Sequence, residues 1–159
     1  MNTEPLIRPF CKEDKEMVTA FFDQMGGETR SFFDVNSGNR KGALGFFDLP
    51  CEPNIKRFAA LYDGRMVGYV FLWDLDTMTP WLGIAISEDW KGRHLGRKLL
   101  AYAEQYCHDL GKGGIFLTTH MANVRGQGLY ARCGYQRLGI HNNGELLYFL
   151  PFSQQSSDQ

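Results

Sequence analysis

Residues 81–134 read WLGIAISEDWKGRHLGRKLLAYAEQYCHDLGKGGIFLTTHMANVRGQGLYARCG, and the order of signals in that run decides the fold. Residues 81–86 (WLGIAI) form an apolar strand that enters a turn crowded with Lys91, Gly92, Arg93, His94, Gly96 and Arg97. Beyond the turn, Leu99, Leu100, Ala103, Cys107 and Leu110 recur at threes and fours, which predicts a helix ending at Leu110 with Gly111 as its stop. Residues 115–119 (IFLTT) are a second strand, followed by a short helix over 123–133 that Gly134 ends. Strand, helix, strand in that order predicts a parallel, right-handed unit. A glycine-containing, cationic turn at a strand-to-helix junction aims unpaired backbone N–H groups and the positive end of a helix dipole at one point. Such a point suits an anion, above all a phosphate.

Upstream, residues 6–8 suit a strand with Pro9 at a sheet edge. Asp14 is placed to cap a helix in which Met17, Val18, Phe21, Phe22 and Met25 share one side, and Gly26-Gly27 end it. Residues 26–54 combine glycines with the pairs Phe32-Phe33 and Phe46-Phe47, and a second helix can begin at 31–34. Two readings stand for this section: irregular helix and loop that cover the sheet, or an aromatic lining for a substrate pocket. Residues 57–62 and 66–73 flank Asp63-Gly64-Arg65 as a hairpin, with Gly68 marking a bulge or a close backbone approach. A polar loop spans 74–79, and residues 135–141 and 145–150 make a last hairpin about Asn142-Asn143-Gly144. The expected fold class is α/β (α+β): a mixed sheet with a central parallel β-α-β unit and helices on both faces, in one domain over residues 1–152. The polar tail at 153–159 is expected to be disordered.

With 17 basic and 18 acidic residues, nothing global draws the chain to nucleic acid or to an anionic membrane, so the cations of the turn are a local feature. The four cysteines, Cys11, Cys51, Cys107 and Cys133, contain no C-x-x-C pair, and no His, Cys, Asp or Glu spacing suggests a metal site. Free thiols and the lack of an apolar leader or span predict a soluble protein of the reducing cytoplasm.

Neither G-x-x-x-x-G-K-S/T nor G-x-G-x-x-G is present. The turn instead resembles the R/Q-x-x-G-x-G/A signature of the GCN5-related N-acetyltransferase (GNAT) family, with Lys91 in the basic position, Gly96 as the last glycine and His94 in place of the middle one. Asn123 and the run Leu129-Tyr130-Ala131-Arg132-Cys133-Gly134-Tyr135 resemble the family's distal N…LY-x-x-x-G-F/Y motif. The resemblance covers residues 57–150. It implies a mostly antiparallel twisted sheet whose two central strands splay apart, with acetyl-CoA (coenzyme A) inserted between them.

On this resemblance the backbone of Ile84, Ala85 and Ile86 meets the pantetheine arm. The turn Lys91, Gly92, Arg93, His94, Leu95, Gly96 and Arg97 holds the pyrophosphate, Asn123 helps to bind the cofactor, and Tyr130 both binds it and protonates the departing thiolate. Gly126 and Gly128 each cost a helix about 1 kcal/mol, so the backbone there either approaches something closely or is loosely held. Some relatives carry a basic glutamate where this chain has Thr118 or Pro80. Asp74, Asp76 and His120 are the substitutes by sequence proximity, with His120 preferred, and an ordered water relay is the other route. The implied activity is transfer of an acetyl group to a primary amine of a small molecule or a peptide, by direct attack in a ternary complex. A non-catalytic acyl-CoA-binding module and a domain binding another diphosphate are alternatives, and pairing through strand edges into a homodimer is open.

Overall fold

A computed structural model describes residues 4–26 and 40–152. The helix start at 31–34, the substrate-loop reading as far as residue 39 and the 153–159 tail lie outside them. The described strands are β1 (Leu6–Pro9), β2 (Lys56–Tyr62), β3 (Arg65–Trp73), β4 (Trp81–Ile86), β5 (Gly114–Thr119), β6 (Gln136–Ile140) and β7 (Leu146–Pro151). The described helices are α1 (Lys15–Asp23), α2 (Arg40–Gly45), α3 (Leu95–Asp109) and α4 (Val124–Arg132). The strands form one sheet in the order β1-β2-β3-β4-β5-β7-β6. β4 and β5 are parallel, and the other neighbours are antiparallel.

The hairpin of β2 and β3 turns on Asp63 and Gly64, whose φ of 52° and 77° are the paired positive values of a two-residue turn that matches strand twist. Gly68 serves both of its expected roles. The register of β2 with β3 shifts between Ala60 and Leu61, opposite it, and a Cβ at Gly68 would stand 3.0 Å from the side chains of Leu95 and Leu99. The glycine thus lets α3 settle onto the sheet.

Alternation along the strands sorts side chains to two faces. On the back face Val70, Leu72, Leu82, Ile115, Leu117 and Leu146 pack against Leu95, Leu99, Leu100, Ala103 and Cys107 of α3 and Tyr130 of α4. On the front face Tyr69, Phe71 and Ala85 join Val18, Phe21 and Phe22 of α1, Ala43 of α2, and Phe10. Leu110 departs from its expected place in the helix stripe. It caps α3 just before Gly111 turns the chain at φ 80°, and it is 51% exposed. Phe46 and Phe47 pack about Phe10 at 5.5 and 6.1 Å between ring centres, so this described part of the 26–54 section covers the sheet.

Buried charges lock the front layer. Asp14 precedes α1 as expected, yet its carboxylate accepts from Arg8 at 2.8 and 2.9 Å and from the Cys11 N–H at 2.7 Å instead of capping the helix. That hydrogen bonding holds Asp14 below its usual carboxylate pKa against the opposing effect of burial. Arg57 is deeper: it donates to Glu52 at 2.8 and 2.7 Å and to the Tyr69 hydroxyl at 2.6 Å. Burial alone would lower its pKa, but Glu52 and Tyr69 outweigh that and raise it.

Removing Glu52 strands a guanidinium in the core. Glu52→Ala is therefore expected to lower the unfolding free energy by about 3 kcal/mol, measured by urea denaturation, and a loss below 1 kcal/mol would contradict the assignment. On the back face, burial raises the pKa of Glu104, which accepts from the Tyr135 hydroxyl at 3.0 Å. A carboxylate whose folded pKa lies above its unfolded one contributes stability at low pH that is lost as pH rises through the carboxylate range. Glu104→Gln keeps an acceptor for Tyr135, so its Tm should exceed that of the parent at pH 7 and converge with it near the acid end. A lower Tm at pH 7 would refute this.

Candidate active site

The parallel pair at the sheet centre is barely a pair. Its registered partners are Trp81 and Phe116, where the Phe116 N–H donates to the Pro80 carbonyl at 3.0 Å. Beyond that point β4 and β5 border a cleft of about 690 Å³. Because Pro80 faces β5, alternation turns the N–H and C=O of Ile84 and Ile86 toward the gap and those of Ala85 toward β3. Ile84, Ala85 and Ile86 all line the cleft, and the backbone groups offered to it come from the two isoleucines.

At one end of the cleft lies the basic turn. Gly92 has φ 78° and His94 φ 67° with ψ 10°, the left-handed conformation, immediately before α3 begins at Leu95. His94 thus adopts the backbone that a glycine would take there, and histidine is among the side chains that tolerate it. The first amide to bond back along the helix is that of Lys98, to His94 at 3.3 Å. The N–H groups of Leu95, Gly96 and Arg97 precede it and form the helix's positive end. Lys91, Gly92, His94, Leu95, Gly96 and Arg97 line the cleft. Arg93 does not belong to that lining; its guanidinium stacks on Trp90, 4.5 Å from the ring centre. Arg125 and Arg132 of α4, which sequence reasoning passed over, bring further positive charge to the same end. A Cβ at Gly96 would stand 2.8 Å from Leu129, so the glycine lets α3 and α4 meet beside the turn.

The short helix α4 places the next residues. Asn123 accepts from the Gly126 N–H at 3.1 Å and donates to Thr119 Oγ1 at 3.0 Å, capping the helix and tying it to the end of β5. A Cβ at Gly126 would lie 2.5 Å from the Asn123 side chain, so the apparent misfit of glycine in this helix is what admits the cap. About one turn on from Gly126, Tyr130 lines the cleft between Tyr135 and Tyr148, its ring 6.0 and 5.6 Å from theirs. Burial raises its pKa well above the usual phenol value, and Tyr148 and Glu145 add to the rise. The hydroxyl therefore keeps its proton at neutral pH.

His120 lies exposed on the cleft rim, and its Nδ1 accepts from the Ala122 N–H at 3.0 Å. That bond uses the ring's free lone pair and leaves the proton on Nε2. Asp74 and Asp76 are exposed outside the lining. Sequence reasoning missed Glu145. It follows the 142–144 turn, lines the cleft on the front face, and accepts from Thr118 Oγ1 at 2.8 Å. The sequence signal was present in Thr118, the strand residue singled out above. What it lacked was the cross-strand register that sets Thr118 opposite Leu147 and brings Glu145 alongside.

The cleft passes through the sheet, with Tyr130 on the back face, Glu145 and Thr118 on the front, and the cationic turn at one end. These residues fit an elongated thioester cofactor: strand backbone for its amides, and helix-end amides and cations for its phosphates.

Comparison with known proteins agrees with this geometry. Residues 15–135 match the Acetyltransferase (GNAT) family. A Bacillus subtilis (strain 168) protein provisionally named as a ribosomal protein bS18-alanine N-acetyltransferase is 31% identical over 81 residues, 51% of this chain; the match spans 54% of that relative's length. The GNAT domain of S. lividans PAT superposes with a TM-score of 0.81 at 14% identity, covering 93% of this chain and 90% of that one. The PaiA N-acetyltransferase of Thermoplasma acidophilum, solved in complex with coenzyme A, gives 0.76 at 16% identity over 94% of this chain and all 100% of its own. The splayed central strands, the helix-end turn and the matched span together make this chain a member of the GNAT acetyltransferase family, whose acetyl donor is acetyl-CoA.

Proposed function

We propose that the chain is an acetyl-CoA-dependent N-acetyltransferase that acetylates a primary amine by direct attack within a ternary complex. The observation that carries this reading is the two-sided cleft, with a protonated phenol on one face and a carboxylate on the other. Acetyl-CoA, when bound, supplies a thioester carbonyl carbon and a thiolate leaving group.

The backbone of Ile84 and Ile86 orients the amides of the pantetheine arm as a neighbouring strand would. The turn 91–97, with Arg125 and Arg132, takes the phosphates. Glu145, steadied by the Thr118 hydroxyl, removes a proton from the incoming ammonium so that its nitrogen lone pair can attack from the front. Tyr130 donates its phenolic proton to the departing sulfur on the back. After attack the acylated nitrogen still carries a surplus proton, which Glu145 takes as well once solvent in the open cleft has removed the first; solvent also returns one proton to Tyr130, so the cycle releases one proton in all. His120 serves at the rim, where its lone pair is already engaged by Ala122. A missing carboxylate base and the glycines around Tyr130 are what permit the alternative of a non-catalytic acyl-CoA-binding module; Glu145 supplies a carboxylate, and Gly126 makes room for the Asn123 cap.

Tyr130→Phe and Glu145→Gln should each lower kcat by about 10²-fold while leaving the calorimetric Kd for coenzyme A within twofold. Undiminished kcat in both, assayed as free thiol against a panel of amines, would sink the mechanism. Arg125→Ala should weaken coenzyme A binding about three- to tenfold and leave the affinity for pantetheine, which lacks the phosphates, unaltered. Equal effects on both ligands would remove Arg125 from the phosphate end.

A further inference from the structure

The front face carries a ladder of aromatic rings that the proposed mechanism does not use. Phe71 stacks on Trp73 with ring centres 5.1 Å apart, Trp73 on Trp81 at 6.2 Å, Trp81 on Phe116 at 5.0 Å, and Phe116 meets Phe149 at 4.7 Å. Phe71 is sealed beneath the helix layer, whereas Trp73, Trp81, Phe116 and Phe149 remain partly exposed. Glycines make room for the rings to lie against the sheet: a Cβ at Gly83 would fall 2.2 Å from Phe71, and one at Gly114 2.8 Å from Phe149.

We propose that this ladder seats the acceptor, and that the acceptor is a small amine whose ammonium group is joined through a short alkyl tether to an aromatic ring. The inference rests on the N-acetyltransferase reading and adds the substrate class to it. Three observations carry it. Trp81 and Phe116 are the registered pair at which the gap begins, and Trp73, the one ladder residue among the described lining, joins the ladder to the cleft wall. Next, Thr118, which holds Glu145, stands two residues along β5 from Phe116 on the same face, a rise of about 7 Å. Two or three carbons at about 1.5 Å per bond, plus the radius of a ring, bridge that spacing. Third, charge is segregated: the arginines and Lys91 gather at the phosphate end, while Glu145 is the carboxylate among the described lining residues. An ammonium is drawn to the ladder end, and an anionic acceptor is not.

The ladder also argues against the other amines. A peptide N-terminus would lay amide groups over ring faces that offer few hydrogen-bond partners, leaving them desolvated and unpaired. A polyamine would bring a second and third ammonium to a cleft whose described lining holds one carboxylate, Glu145, beside Lys91, Arg97, Arg125 and Arg132.

The test uses the protein saturated with coenzyme A and titrated calorimetrically with 2-phenylethylamine, spermidine and an alanine-starting peptide, followed by thiol release with acetyl-CoA. The expected result is binding and turnover of 2-phenylethylamine with kcat/KM about tenfold or more above the other two. Trp81→Ala should raise its KM at least fivefold, and Trp81→Phe should recover most of that loss. Should Trp81→Ala fail to fold, Trp73→Leu is read in the same way. Preference for spermidine or the peptide, or an unchanged KM in a folded ladder variant, overturns the inference. If 2-phenylethylamine binds through the ladder and no amine releases thiol, the transferase reading fails and the platform stands. If amines turn over with no response to ladder substitutions, the reverse holds.

Discussion

A sheet cannot leave backbone amides unpaired in its middle without cost, and this protein does so between β4 and β5. One registered pair, Trp81 with Phe116, holds the strands together at their root. Past it, Ile84 and Ile86 face a gap. The arrangement persists because each half of the sheet is tied elsewhere: β1 to β4 form a continuous antiparallel ladder, and β5 is secured by six registered residues of β7. The gap is a deficit of hydrogen bonds that a ligand carrying its own amides can make good, which is why the proposed cofactor site falls at the least satisfied place in the sheet.

The same gap makes the site two-sided. Side chains of neighbouring residues point to opposite faces of a strand, so a slot through the sheet has different chemistry at its two mouths. The back mouth collects the start of α3, the arginines of α4 and the buried phenol of Tyr130. The front mouth holds Glu145, Thr118 and the aromatic ladder. Under the proposed mechanism, a phenol at one mouth and a carboxylate at the other let two groups serve one tetrahedral carbon without competing for the same space. Glycine sets the tolerances: Gly83 under Phe71, Gly96 against Leu129 and Gly126 beneath the Asn123 cap are contacts that a methyl group would spoil.

Rigidity around the slot comes from two layers with different chemistry. The back layer is a conventional apolar stripe of α3, eased onto the sheet by Gly68. The front layer includes buried ions, with Arg57 between Glu52 and Tyr69 and Asp14 against Arg8. Such pairs contribute less to net stability than to uniqueness of position, since a guanidinium shifted from its partners is costly.

Much of this was legible in residue order. Apolar runs located β4 and β5, helical periodicity located α3, and Asn123 with Gly134 bounded α4, each to within a residue or two. The glycines and cations at 91–97 announced a cationic turn at a helix start, since that geometry is local. Tertiary structure alone decided three matters. Glu145 came to Thr118 through the register of β5 with β7, and Arg125 and Arg132 came to line the cleft through the seating of α4. Four aromatic residues spread over four strands became one platform. Each depends on which residues of distant segments stand opposite one another, and pairing across strands is set by packing of the whole sheet, which no single segment encodes.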